Sequence, residues 1–135
     1  MFWNKKHQRQ HLTLSQKQVL AAKCLSAFCQ HENISHIYIE QFMAYLYAID
    51  VENLPQWEQE GGELKLNGRG DLLPDEISQL LNARNKPSFV NLLNAVAEVG
   101  LADMYGATTN SADLYLEKCF KILKEHSVAI PLIAA

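Results

Sequence analysis

An all-α, single-domain bundle of about five helices is predicted by three observations. Apolar residues recur at helical spacing in four long segments, capping residues stand at the starts of those segments, and apolar-polar alternation is confined to one short stretch. At 135 residues, 48% of them hydrophobic, the chain can build one core without metal or disulfide staples. No apolar run approaches the roughly 18 residues that cross a bilayer, and the basic opening (Lys5, Lys6, Arg9) lacks the apolar core of a secretory signal. The expectation is a cytoplasmic domain over 13–135, preceded by a frayed basic arm over 1–12.

The first helix is expected over 15–31. Ser15 and Gln18 have capping-box spacing, Leu20, Cys24, Leu25, Phe28 and Cys29 form the inner stripe, and Lys17, Lys23, Ser26 and Gln30 face out, so this helix is half-exposed. Ser35 is expected to cap a second helix over 35–50. That helix is apolar on nearly every face except around Glu40 and Gln41, which is the pattern of a central helix.

Residues 50–73 are the irregular part. Pro55 opens a short turn that Gly61 and Gly62 end, and alternation across 63–71 around Asn67-Gly68 suggests a minimal hairpin. A third helix starts at Pro74 with Asp75 and Glu76 in its favourable first turn, covers Ile77, Leu80 and Leu81, and stops near Asn85. The fourth runs from Pro87 to a stop at Gly106 and is the second central helix. Gly100 within it signals a close crossing against Tyr45 or Phe42. The fifth starts at Asn110 or Ser111 and ends near His126, with Ala112, Tyr115, Leu116, Cys119, Ile122 and Leu123 inward. The last eight residues carry no charged side chain, so they pack back on the core or complete a homo-oligomer interface.

Catalytic, metal and cofactor sites are not expected. Cys24, Cys29 and Cys119 are odd in number, sit in helical stretches and lack the close pairing of zinc ligands, which makes them reduced core residues. The glycines at 61, 62, 68 and 70 lack phosphate-loop spacing, and no serine stands in a nucleophile elbow. His7 and His11 are four apart but have no third ligand, and His31 and His36 flank a turn as structural residues. A cysteine-histidine approach would need Cys119 and His126 to meet Cys29 and His31 in space.

Charge is segregated. Between residues 32 and 76 ten acids face two bases, Lys65 and Arg69, a balance of −8 in a chain of net −3, which leaves +5 elsewhere. Such a middle repels phosphate, so nucleic acid is not an expected partner, and the basic arm, with three cations, is too weak an anchor to make a membrane one. The leading expectation is a non-enzymatic protein-binding domain whose acidic face (Glu58, Glu60, Glu63, Asp71, Asp75, Glu76) engages a basic protein, with Trp57 as the anchor. Its size and charge suit an inhibitor or immunity protein that blocks a toxin or nuclease by occupying a phosphate-binding cleft. Two other classes compete: a small-ligand binder or small enzyme with a pocket of Tyr38, Tyr45, Tyr47 and Met104 between the central helices, and an oligomeric module using the apolar tail.

Overall fold

The computed structural model describes residues 12–102, 104 and 110–132. Among the described residues there are six helices and no strand: α1 (Leu14–Glu32), α2 (Ile37–Tyr47), α3 (Leu54–Gly62), α4 (Asp75–Ser78), α5 (Lys86–Val99) and α6 (Ser111–Glu125). The fold is an all-α bundle. Most of the expected basic arm, the expected stop at Gly106 and the last three residues lie outside the described residues.

The start of α1 is set by Thr13, two positions before the expected cap. Its hydroxyl accepts the Gln16 amide at 3.1 Å while Gln16 Oε1 accepts the Thr13 amide at 2.8 Å, a complete capping box. Ser15 and Gln18 have the same spacing, but a start there would give up the buried position of Gln18. That side chain donates from Nε2 to Val96 O at 3.0 Å and accepts the Gly100 amide on Oε1 at 2.8 Å. At the other end Asn33 adopts a left-handed conformation (φ 60°), and the Ile34 amide bonds back to Cys29 O at 2.8 Å, closing the helix and burying Ile34.

α1, α5 and α6 pack on one another in all three pairings, whereas α2 packs chiefly on α1. This corrects the expectation that the second helix is central and the first half-exposed. The physical reason lies in side-chain size. Fully buried Ala21, Ala22 and Cys24 let two helices approach α1 closely, and α2 keeps Tyr38 and Tyr47 at the rim. Only Ile39, Phe42 and Leu46 of α2 are buried, while Ile37 and Tyr47 stay 54% and 46% exposed. His36, not Ser35, caps α2, its Nδ1 accepting the Tyr38 amide at 3.1 Å.

The expected hairpin over 63–71 is absent. Leu66 is buried, and Gly68 (φ +67°) lies so close to α5 that a Cβ on it would stand 2.8 Å from both Ala97 Cβ and Leu93 O. Packing on a helix satisfies this segment better than pairing with itself, since an isolated hairpin is marginal. The third helix is shorter than expected, ending at Ser78. Asn82 Oδ1 accepts the Arg84 and Asn85 amides, and Asn85 Oδ1 accepts the Asn82 amide, so side chains compete with helical bonding through this turn.

α5 ends at Gly100. The close crossing there is with Gln18, Ile49 and Trp57, whose atoms would stand 2.7, 2.8 and 3.0 Å from a Cβ, and not with Tyr45 or Phe42. α6 begins and ends as expected, with Phe120 added to its buried face, and an ion pair from Lys17 to Asp113 at 2.9 Å ties it to α1. Beyond it Val128 and Ile130 pack against the core, and Leu132 is exposed.

Candidate partner-binding surface

α3 and the loop after it are locked together by Arg69. Its guanidinium donates to Glu58 Oε1 at 2.8 Å, to Glu58 O at 2.8 Å and to the Tyr45 hydroxyl at 3.3 Å. The turn that delivers it is closed by Asn67, whose Oδ1 accepts the Arg69 amide at 3.0 Å and whose Nδ2 donates to Asp71. Gly61 makes room beneath: a Cβ there would overlap the Tyr45 ring and the Arg69 head. Burial pushes the Tyr45 hydroxyl up to about 12, against the opposing pull of Arg69.

Trp57 is not a surface anchor. It is 3% exposed, stacked on Tyr45 with ring centroids 4.5 Å apart and planes 6° from parallel, and its Nε1 donates to Tyr45 O at 3.0 Å. The expectation read its acidic, glycine-flanked neighbours as a solvent setting. Instead the helical turn rotates the indole inward, and the glycines serve close packing.

The acids divide. Glu58 is half-buried and paired with Arg69, whereas Glu60, Glu63, Asp71, Asp75 and Glu76 are exposed. Glu76 accepts the Tyr38 hydroxyl at 3.0 Å, which ties α4 to the start of α2 and lifts the tyrosine's pKa. Amid these acids Leu72 is 97% exposed. Sequence reasoning passed over it. The visible signal was a pair of adjacent leucines, Leu72 and Leu73, between Asp71 and Pro74, of which only one can turn inward.

Of the four residues Tyr38, Tyr45, Tyr47 and Met104, the three tyrosines stand in different settings. Tyr45 is stacked on Trp57 and Tyr38 is bonded to Glu76, while Tyr47 stands on the wall of a different feature, an open groove of about 690 Å³ between α1 and α2. Phe42 and Phe89, on the two helices expected to be central, are both fully buried.

The cysteines offer no nucleophile. All three are free and buried, and desolvation holds Cys24 and Cys29 at about 12 and Cys119 well above the ordinary thiol range. His126 meets Ser88, not a cysteine: Nε2 and Oγ hydrogen-bond at 2.8 Å, and the ring stands edge-on to Phe28. Among the described residues no group of three or more His, Cys, Asp or Glu is placed to hold a metal, and no helix is long and apolar enough to cross a membrane.

Beside His126, the Glu32 side chain, 9% exposed, contacts His31 Nδ1 at 2.9 Å and accepts from Asn85 Nδ2 at 3.2 Å. Burial raises its pKa, but the bonds from His31 and Asn85 and the nearby Arg84 and His126 outweigh burial, and the net position is below the ordinary value of 4.5. A depressed folded pKa means stability that is full above the unfolded value and is lost as pH falls through the folded one. Urea midpoints measured from pH 7 down to pH 3 are therefore expected to fall more steeply for the native chain than for Glu32→Gln. Parallel pH profiles for the two would remove this assignment.

Against known proteins the chain matches no family model, no curated protein and no solved structure. The structure therefore defines the fold class, an all-α bundle.

Proposed function

We propose that this chain is a non-enzymatic protein-binding domain whose acidic face engages and neutralises a basic protein, as an inhibitor or an immunity protein against a cationic toxin or nuclease does. The observation that carries the reading is the inward turn of Arg69. Of the two bases among ten acids, one is consumed inside the fold, so five carboxylates on α3, the loop and α4 face water with only Lys65 as a cation in the same stretch. Their field acts over roughly 8–10 Å at physiological salt, enough to steer a cationic partner to the loop. There exposed Leu72 supplies the short-range apolar contact that Trp57 cannot. Three buried, unpaired thiols suit a reducing compartment, and we place the protein in the cytoplasm.

The test is capture from host lysate at low and high salt by the native chain and by the triple variant Glu60→Lys, Glu63→Lys, Asp75→Lys. Glu58 is left in place because it holds Arg69. A basic protein is expected to bind the native chain and elute with salt, and the variant is expected to bind it at least about tenfold more weakly with an unchanged unfolding transition. Equal retention by the variant would defeat the reading.

A further inference from the structure

We propose that Asn67-Gly68 is a deamidation site at which the chain modifies itself when the turn carrying Arg69 opens, and that the product no longer fits the closed turn.

Asn67 is the only asparagine in the sequence that glycine follows. Two separate demands of the fold put that pair there. Position 68 requires glycine: its backbone is left-handed (φ +67°), and a Cβ would stand 2.8 Å from both Ala97 Cβ and Leu93 O of α5. Position 67 requires a side chain that accepts and donates at once. Its Oδ1 takes the Arg69 amide at 3.0 Å, and its Nδ2 donates to Asp71 Oδ2 at 3.1 Å. Asparagine is the short side chain with both capacities and a place in such turns. An asparagine before glycine is also the pair most open to attack by its own backbone, because no side chain shields the second residue's nitrogen.

The chemistry needs only water. The Gly68 nitrogen gives up its proton and attacks Asn67 Cγ; the N–Cγ bond forms, the Cγ–Nδ2 bond breaks, and Nδ2 leaves with that proton as ammonia, closing a succinimide ring. Water then adds to either ring carbonyl. Opening at Cγ leaves aspartate at 67, and opening at the main-chain carbonyl leaves an isoaspartyl link with one extra backbone carbon.

The native turn holds this reaction back. Ring closure draws Cγ onto the Gly68 nitrogen and makes it tetrahedral, which the hydrogen bonds on Oδ1 and Nδ2 oppose, and Gly68 itself is buried against α5. Next in sequence, Arg69 is pinned by three guanidinium bonds. The reaction therefore runs from conformers in which the turn has opened locally. Reclosing then fails on both products. Aspartate at 67 presents an oxygen to Asp71 where a nitrogen donated, so two carboxylates face each other. The isoaspartyl form shifts Gly68, which has no spare room against α5.

The full chain is incubated in mildly alkaline buffer, folded or unfolded in guanidinium, and mapped by mass spectrometry that separates aspartyl from isoaspartyl peptides. A gain of one mass unit is expected at residue 67 in both samples, at least about tenfold slower in the folded chain. Asp71→Ala, at an exposed position, removes the partner of Nδ2 and is expected to raise the folded rate about threefold or more with circular dichroism unchanged. Arg69→Lys, which keeps the charge but not the fork of bonds, is expected to raise it further. Asn67→Asp is expected to lower the urea midpoint, and adding Asp71→Asn is expected to restore it, because the amide then donates in the reverse direction. Equal rates in the folded and unfolded chains, a folded chain unmodified after the unfolded one has converted, or a mass gain elsewhere than residue 67 overturns the proposal. So does a native rate in Asp71→Ala, a native midpoint in Asn67→Asp, or a loss that Asp71→Asn does not repair.

Discussion

Replacing Trp57 by alanine is expected to destabilise the domain by about 3–5 kcal/mol, read as a lower urea midpoint with the m-value little changed. The indole is among the more deeply buried large groups, and its removal takes away the stack on Tyr45, the bond to Tyr45 O and the contact beneath Gly100 at once. Against a total stability of roughly 5–15 kcal/mol this removes between about a fifth and all of the margin. Trp57→Phe keeps most of the apolar area and loses only the Nε1 bond, so a loss nearer 1 kcal/mol is expected. Were the residue a surface anchor, the alanine variant would fold normally and fail only in partner binding. A native urea midpoint for Trp57→Ala would therefore overturn the buried placement of the indole.

Gln18→Met is expected to cost about 2–4 kcal/mol although it nearly preserves side-chain length and adds an apolar group to an apolar site. The reason is what remains behind. Val96 O and the Gly100 amide lose their partners in a region where Gln18 itself is 0% exposed, and each unsatisfied backbone group is worth about 1–3 kcal/mol. Gln18→Glu separates this from simple packing. The carboxylate can still accept from Gly100, but only its protonated form can donate to Val96 O. Burial and that bond both raise its folded pKa, so the variant is expected to recover stability as pH falls from 7 toward 5. A methionine variant as stable as the native chain would show that the amide bonds contribute little.

These two residues mark where sequence reading stopped. Gln18 looked like a partner for Ser15 because the two have capping-box spacing; Thr13 and Gln16 have it too, and only tertiary burial chooses between them. Trp57 sat among acids and glycines, a setting that composition alone cannot tell from a solvent loop. Its helix is short and mostly polar, so no sustained apolar period pointed inward. The acidic positions were legible, because charge segregation is visible in a count, but their fates were not. Arg69 withdrew Glu58 into a structural pair and left Leu72 outside, an arrangement that depends on a left-handed Gly68 packed against α5.

By itself the sequence determined the class and most helix starts: periodicity marked the segments, Pro87 and Asn110 marked starts, and buried cysteines followed from their place in apolar stripes. Tertiary structure alone decided which helix lies at the centre. Amphipathic helices declare their inner face, so α6 could be oriented from its spacing. α2 is apolar all round and declares none, and its place was settled by which neighbours pack closest. The small residues of α1 let α5 and α6 approach, and α2 was left at the edge with a face still open.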